Sequence, residues 1–230
     1  MKLSKRLEAV AGLVTKQGVL ADVGCDHGFL PIALYEQGRI KKAIALDVNE
    51  GPLLRAREHI CEAGLADVIE TRLSDGLAAL KDGEADSVVI AGMGGNLMQG
   101  ILARCCDVAK SCKEIILQPQ SEIDLLRAWL TEAGFKICAE DMVLEGGKYY
   151  PMMRVCFTGL EMKLTKVELS YGPCLLRESH PVLLDFLKKE DIRVEHILDQ
   201  LQKDSMRYEQ RIRELKMDRE LISKALEICR

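Results

Sequence analysis

Short apolar runs alternate with segments of helical periodicity along most of the chain. The apolar runs predict strands at 19–23, 43–47, 67–72, 86–91 and 114–118. The periodic segments predict helices at 3–16, 29–38, 51–63, 96–106 and 121–133. Alternation of this kind is typical of a mostly parallel sheet covered by helices on both faces, so we expect an α/β fold.

Two further apolar segments, 136–145 and 149–157, flank the pair Gly146-Gly147. Glycines between two strands favour a tight turn, and we therefore expect an antiparallel hairpin at the end of the sheet. With this hairpin the predicted sheet has seven strands.

The pattern changes after Gly159. Residues 160–180 predict short helices or loops, and no glycine or proline follows Pro181. Two apolar stripes at helical spacing lie there, formed by Leu183, Leu187, Val194, Ile197, Leu198 and Leu201 and by Ile212, Leu215, Ile222, Leu226 and Cys229. A single helix of about 50 residues would span about 75 Å. We therefore expect an antiparallel, coiled-coil-like helical hairpin that turns near Lys203-Asp204-Ser205.

The chain therefore divides into a domain at 1–159 and a helical tail at 160–230. Its net charge of −4 gives no global basic field of the kind that marks a general nucleic-acid binder. Basic residues do cluster on the first helix and near the end of the chain: Lys2, Lys5, Arg6, Arg207, Arg211, Arg213, Lys216 and Arg219. These clusters are either solvated helix faces or a grip for RNA phosphates, and the sequence leaves both interpretations open.

Membrane, metal and disulfide chemistry are not indicated by the sequence. No stretch approaches the roughly 20 apolar residues of a membrane helix, and the first residues read as a charged amphipathic helix, so we expect a cytoplasmic protein. The nine cysteines are odd in number and lack a Cys-x-x-Cys pair, which favours buried free thiols for most of them. No His, Cys and carboxylate group has metal-ligand spacing. The oligomeric state stays open, with a monomer slightly favoured.

The most informative motif lies at the end of the first predicted strand and reads Asp22-x-Gly24-x-Asp26-His27-Gly28. Asp47 closes the second strand 23 positions beyond Gly24, which is typical of a nucleotide-binding βαβ unit. A dinucleotide fold would need glycine where Asp26 and Phe29 stand, and the Asp26 carboxylate would repel a pyrophosphate. The motif instead fits S-adenosylmethionine-dependent methyltransferases of the Rossmann-like class, whose ligand is cationic.

Four strand ends supply the predicted cofactor site, because ligands of open parallel sheets bind beyond the carboxyl ends of the strands. Gly24 lets the backbone pass close to the methionine part of the ligand. Asp47 can accept the ribose hydroxyls, and Asp75 can accept from the adenine amino group; alternatively, Asp47 is a helix cap and Asp75 a turn residue. The full set of predicted cofactor residues is Asp22, Gly24, Gly28, Asp47, Val48, Asp75, Gly76, Gly92 and Met93.

The predicted substrate residues follow the fourth and fifth strands. Glycines after the fourth strand allow backbone to approach a planar base, and their amides could bind its edge. Gln118 and Gln120 offer side-chain amides, and no Asn-Pro-Pro-Tyr or Asp-Pro-Pro-Tyr tetrapeptide is present. Flexible turns and a proline stop are the plain structural alternatives. The predicted substrate residues are Gly94, Gly95, Gln118 and Gln120.

Together, three motifs resemble the bacterial tRNA (adenine(22)-N(1))-methyltransferases over nearly the whole chain. These motifs are Asp22-x-Gly24-x-Asp26-His27-x-x-Leu30-Pro31, Gly92-Met93-Gly94-Gly95 and Gln118-Pro119. The sequence departs from the family at Phe29, where a tyrosine is common, and at Gln120, where an asparagine is common. The resemblance implies a Rossmann-like methyltransferase domain with seven strands, followed by a two-helix tail.

The resemblance also implies methyl transfer from S-adenosylmethionine to N1 of an adenine in tRNA. N1 of neutral adenine already carries a lone pair, so alignment and charge placement can carry the catalysis. The product is a cationic base, and Asp26 is the candidate carboxylate to stabilise its charge. We expect His27 to orient the loop or to accept a proton from the amino group.

Two other classes of function stay open at this stage. A methyltransferase for a small molecule or a protein would use the same cofactor residues. A non-catalytic S-adenosylmethionine-binding protein could dock a partner through its helical tail. Phe29 leaves this alternative open, because it stands where a tyrosine is common in the family.

Overall fold

The structure is a computed structural model that describes residues 2–15, 17–201 and 207–229. The strands are β1 (Val19–Val23), β2 (Lys42–Asp47), β3 (Ile69–Leu73), β4 (Ser87–Met93), β5 (Glu114–Pro119), β6 (Phe135–Glu145) and β7 (Lys148–Phe157). The helices are α1 (Lys5–Leu13), α2 (Phe29–Glu36), α3 (Glu50–Glu62), α4 (Gly95–Arg104), α5 (Cys106–Ser111), α6 (Ile123–Glu132), α7 (Lys166–Tyr171), α8 (Pro173–Arg177), α9 (Pro181–Leu201) and α10 (Glu209–Ile228). The chain divides into two compact units, Met1–Lys163 and Leu164–Arg230.

The first unit contains a seven-stranded sheet of order β3-β2-β1-β4-β5-β7-β6. Strands β1 to β5 pair in parallel, whereas β7 is antiparallel to both β5 and β6. The α/β fold, the mostly parallel sheet and the terminal hairpin predicted from the sequence are therefore confirmed. Because the strand order reverses between β1 and β4, the carboxyl ends of these two strands form the natural binding crevice.

Two helix predictions need correction. The predicted helix 3–16 begins only at Lys5, since the Ser4 side chain accepts from the Leu7 amide and caps it. The predicted helix 96–106 is interrupted at Cys105, whose φ of −118° and ψ of 47° end α4 and start α5. No glycine or proline marks that break, so it has no local signal in the sequence.

The first helix is fixed to the far end of the sheet by one carboxylate. Glu145, at the end of β6, accepts from the backbone amides of Lys5 at 2.7 Å and Arg6 at 3.4 Å. These amides belong to the first turn of α1, where backbone donors lack helical partners and a negative charge is favourable. Glu145 thereby sets where the side chains of α1 lie over the sheet.

The cysteine prediction is wrong for one pair. Cys138 and Cys156 are joined by a disulfide across the β6–β7 hairpin, whereas the sequence favours free thiols for both. Of the remaining cysteines, Cys25, Cys112, Cys174 and Cys229 are buried and free, as predicted, whereas Cys61 and Cys106 are free but exposed.

A buried ion pair connects α6 to β6. The Nη2 atom of Arg127 lies 2.9 Å from Oε1 of Glu140, and the side chains are 1% and 0% exposed. Because both charges are removed from water, each depends on the other for compensation.

The second unit holds α7 to α10. Arg219 of α10 bonds to Asp191 at 2.9 Å and to Glu195 at 2.8 Å, both on α9. The two helices therefore pack side by side in this unit. The turn predicted near 203–205 lies outside the described residues.

Candidate functional site

The loop after β1 makes a sharp turn and is closely approached by side chains of other elements. Gly24 has a φ of 74°, and its amide donates to the Leu46 carbonyl at 2.8 Å. A side chain at this position would collide with the terminal methyl of Met93. Gly28 has a φ of 69°, and a Cβ there would lie 3.3 Å from Cβ of Ala56. Only glycine fits these two positions without strain, which leaves the backbone of the loop bare.

Two carboxylates face each other at the ends of β1 and β2. Asp22 is 5% exposed, and burial together with the nearby charge of Asp47 raises its pKa to about 7. Asp47 is 8% exposed, and its Oδ1 accepts from the Asn49 amide at 3.0 Å. A buried carboxylate with a raised pKa favours a cationic ligand, because a positive charge would stabilise its ionised form.

Asp26 and His27 lie at the mouth of this loop. Asp26 adopts a φ of 46°, which is unusual for a residue other than glycine, and its Oδ1 lies 2.8 Å from Nη2 of Arg55. The His27 ring stacks on Phe29, with centroids 5.0 Å apart and planes 12° apart. The charge of Asp26 is thus partly offset by Arg55, a contact that the sequence reasoning did not anticipate.

His59 of α3 completes an aromatic cluster with His27 and Phe29. Its ring lies 5.4 Å from that of His27 and 4.9 Å from that of Phe29, and its Nδ1 lies 2.9 Å from the His27 carbonyl oxygen. The sequence offered no signal for this contact, because His59 is 32 residues away on another element.

The loop after β3 contains one exposed and one buried part of the predicted site. The Asp75 carboxylate is exposed and lies 3.1 Å from Nη2 of Arg104. Gly76 has a φ of 64°, and a Cβ there would lie 2.7 Å from the Ile101 side chain. Gly76 thus serves packing against α4. Beside this loop, Val48 is 60% exposed, an apolar surface next to Asp47.

The glycines after β4 have different surroundings. Gly92 is exposed with a φ of 80°. Gly94 is the N-cap residue of α4. Gly95 is buried, its amide donates to the Ser121 carbonyl at 3.0 Å, and a Cβ there would lie 2.6 Å from the Glu122 carbonyl oxygen. The expectation that the Gly95 amide is open to a substrate is wrong, because that amide already joins the β4 and β5 ends.

Side chains from α1, β5 and β7 meet beside the β4 end. Gln118 is 0% exposed, and its Oε1 accepts from Nη1 of Arg6 at 2.8 Å and from Nε2 of Gln120 at 3.0 Å. Oε1 of Gln120 accepts from Nζ of Lys148 at 2.8 Å. Arg6 and Lys148 both approach the Tyr150 ring, at 5.9 and 5.4 Å from its centroid. Arg6 therefore belongs to this cluster and not to a solvated helix face.

A cavity of about 120 Å³ lies at the β1 end of the crevice. Its walls include Arg6 of α1, the buried Asp22, and the loop residues Gly24, Asp26 and His27. Two larger cavities, of about 550 and 430 Å³, lie at the amino ends of the strands and contain none of the predicted site residues. The crevice at the carboxyl ends is the candidate site, since the glycine turns and the perturbed carboxylate are found there.

The structure describes residues 2–15, 17–201 and 207–229. Within those ranges, no group of three or more His, Cys, Asp and Glu residues could hold a metal ion. None of the helices described there is both long and apolar enough to cross a membrane.

A sheet of this order, with an antiparallel seventh strand and with acidic and glycine residues at the β1, β2 and β4 ends, defines the Rossmann-like class of methyltransferases. Within that class, the family model of tRNA (adenine(22)-N(1))-methyltransferases matches residues 20–224. The chain belongs to this family.

Individual relatives agree over nearly the full length. The tRNA (adenine(22)-N(1))-methyltransferase of Bacillus subtilis (strain 168) is 32% identical over 233 residues, which cover 99% of this chain and 98% of that protein. The structure of Streptococcus pneumoniae Sp1610 in complex with S-adenosyl-L-methionine has a TM-score of 0.86 and 37% identity, covering 98% of this chain and 100% of that one. M. capricolum TrmK in complex with S-adenosyl-homocysteine has a TM-score of 0.84 and 26% identity, covering 100% of both chains.

Proposed function

We propose that this protein transfers a methyl group from S-adenosylmethionine to N1 of adenine 22 in tRNA. The observation that carries the proposal is the match to the family over residues 20–224, on a fold whose strand ends contain the expected acidic and glycine residues. The family agrees with the resemblance drawn from the sequence.

The residues at the β1 end suit the charged part of this cofactor. S-adenosylmethionine supplies an activated methyl group on a sulfonium, and its methionine part also carries an ammonium. The buried Asp22, with its pKa raised to about 7, would be stabilised as a carboxylate by such a cation. Gly24 has no Cβ, so the Met93 methyl can lie directly against its backbone, and a ligand that displaces this methyl could approach equally closely.

The remaining cofactor contacts are proposed from position. Asp47 would accept the ribose hydroxyls through its carboxylate, beside the exposed Val48, which offers an apolar contact for the adenine ring. Asp75 would accept from the adenine amino group, and Arg104 would then share that carboxylate with the ligand. Gly28 and Gly76 serve the shape of the loops.

Adenine N1 needs no general base before it attacks, because its lone pair is free in the neutral base. The protein therefore has to align the base and place charge. N1 lies on the pairing edge, so the base must first leave its stacked position, at a cost of a few kcal/mol. We propose that Asp26 stabilises the cationic product and that His27, held against Phe29, orients the loop.

The helical tail is proposed as a grip for tRNA. Several of its basic residues are engaged locally, since Arg211 pairs with Glu214 and Arg213 pairs with Glu209 on the same helix. Exposed pairs of this kind are weak, so the arginines can exchange their partners for phosphates. We further propose that the protein works in the cytoplasm and that it is a monomer. Sedimentation of the purified protein would test the monomeric state.

The direct test is to incubate the protein with labelled S-adenosylmethionine and bulk tRNA that lacks the modification. Digestion to nucleosides should place the label in 1-methyladenosine. Cofactor binding without any label in tRNA would refute the proposal and favour a small-molecule acceptor or a sensing role.

A further inference from the structure

The side chains beside the β4 end form a continuous chain of hydrogen bonds. Arg6 donates to Gln118 at 2.8 Å, Gln120 donates to the same Gln118 oxygen at 3.0 Å, and Lys148 donates to the oxygen of Gln120 at 2.8 Å. The Gln118 amide nitrogen donates to the Pro119 carbonyl at 3.1 Å. This series of hydrogen bonds thus begins at the Arg6 cation and ends at the Lys148 cation.

The orientation of both amide groups follows from the chemistry of these partners. Arg6 can only donate and the Pro119 carbonyl can only accept, so the Gln118 oxygen must face Arg6. Gln120 must then turn its nitrogen towards that oxygen. Lys148 also can only donate, which agrees with the oxygen of Gln120 pointing the other way. A flipped amide at either glutamine would set donor against donor or acceptor against acceptor.

The two glutamines differ in what they can still bind. Gln118 is 0% exposed, and its oxygen already accepts two hydrogen bonds, the number that its lone pairs allow. Gln120 is half-buried, and among the contacts of the described residues its oxygen accepts one, from the exposed Lys148. Its second lone pair can therefore take a donor from a ligand.

This acceptor lies next to the loop assigned to the cofactor. The backbone amide of Gln120 donates to the Met93 carbonyl at 2.8 Å, and the side chain of Met93 covers Gly24. Arg6 lines the cavity that also contains Asp22 and Asp26. Gln120 is thus bonded to the residue that covers the loop after β1, on the side from which a base could be presented to the methyl group.

We propose that Arg6 is a positioning residue that acts through Gln118 to hold the Gln120 side-chain oxygen outward, where it accepts from the exocyclic amino group of the target adenine. This inference rests on the proposed function and specifies how the base is selected. Adenine presents an amino donor beside N1, whereas guanine presents an oxygen there. An acceptor fixed in this place favours adenine and disfavours guanine, because two acceptor oxygens that face each other cannot form a hydrogen bond.

The experiment compares two tRNAs that carry either adenine or unsubstituted purine at position 22, since purine keeps N1 but lacks the amino group. Single-turnover methylation rates are measured for the wild-type protein and for Gln120→Met and Arg6→Met. The ratio of the two rates for each protein is then compared with the wild-type ratio, which cancels the intrinsic difference in N1 reactivity between the two bases.

We expect Gln120→Met to lower the adenine-to-purine ratio by about tenfold, the effect of one hydrogen bond of about 1.4 kcal/mol. Arg6→Met should lower the ratio by a smaller factor while Gln120 is still present, because the Gln118 amide is then held only by the Pro119 carbonyl and by Gln120. The dissociation constant for S-adenosylmethionine should stay within about twofold of wild type. Arg57→Met is the matched control, since Arg57 donates to Thr71 on another part of the fold and its loss removes an equal charge.

Three results would overturn the inference. An unchanged ratio in Gln120→Met would mean that its oxygen does not meet the amino group. If Arg6→Met lowers the methylation rate equally on both tRNAs, Arg6 is a general RNA contact. If it weakens cofactor binding and leaves the rate ratio unchanged, Arg6 is a cofactor ligand. Wild-type protein that leaves adenine 22 unmethylated would instead refute the proposed function itself, so the two failures are distinguishable.

Discussion

Replacing Asp22 by Asn should make the protein more stable and a poorer binder of its cofactor. The carboxyl group is 5% exposed, and burial followed by the charge of Asp47 raises its pKa from 3.8 to about 7. The folded state therefore holds a proton that the unfolded chain has released, and stability falls as pH rises between these two values. Asp22→Asn removes this penalty, because an amide does not ionise.

The magnitude follows from the size of the pKa shift. Three pKa units correspond to on the order of 4 kcal/mol at pH 8, where the folded carboxylate must be ionised. The gain in free energy of unfolding from Asp22→Asn should be about 2 kcal/mol smaller at pH 5.5 than at pH 8, since the wild-type carboxyl is protonated at pH 5.5. For the cofactor, loss of a charged hydrogen-bond partner should weaken binding by about ten- to a hundredfold.

Denaturant unfolding at both pH values and calorimetric titration with S-adenosylmethionine measure these effects. Glu140→Gln is the matched control, because Glu140 is equally buried but compensates Arg127 at 2.9 Å. The free energy of unfolding of that variant should fall by roughly 3 to 5 kcal/mol, a change opposite in sign to that of Asp22→Asn. A destabilised Asp22→Asn, or one that binds the cofactor as tightly as wild type, would refute the role given to this carboxylate.

Four further outcomes are expected. The wild-type affinity for S-adenosylmethionine should fall about tenfold from pH 8 to pH 6 in titrations, because protons then compete for Asp22; a flat profile would argue against this competition. Gly24→Ala should weaken cofactor binding, because alanine is strained at a φ of 74° and its Cβ would displace the Met93 methyl, whereas Gly38→Ala, at a similar φ but with open space around it, should bind normally; equal losses would point to backbone strain alone. Asp26→Ala should keep cofactor affinity and lose turnover, and full turnover would remove Asp26 from the mechanism. Deleting 160–230 should leave cofactor binding intact but end tRNA methylation, and an unchanged rate would make the tail purely structural.

The strands and the cofactor loop could be predicted because their signals are local. A buried parallel strand is a continuous apolar run, and the loop after β1 shows its glycines and Asp22 within a few residues. The place of Asp47 at the end of β2 could be predicted from the apolar run that precedes it, whereas its role stays a prediction. The family, the acceptor and the atom that is methylated came from the resemblance, since none of them is encoded in periodicity.

The contacts that the sequence did not predict are distant along the chain. Arg6 reaches Gln118 across 112 residues, and the start of α1 is held by Glu145, which is 139 residues from Arg6. His59 meets His27 across 32 residues, and Cys138 bonds to Cys156 across the hairpin. Such contacts depend on how the elements pack, which periodicity alone does not determine.

Adenine 22 itself can be examined most directly by reverse transcription. A methyl group on N1 blocks the pairing edge, so the enzyme that copies the RNA stops at that nucleotide. After incubation of unmodified tRNA with this protein and S-adenosylmethionine, we expect one new stop at adenine 22, absent when either component is omitted or when guanine replaces that adenine. A stop at another position, or none while cofactor is bound, would contradict the proposed activity.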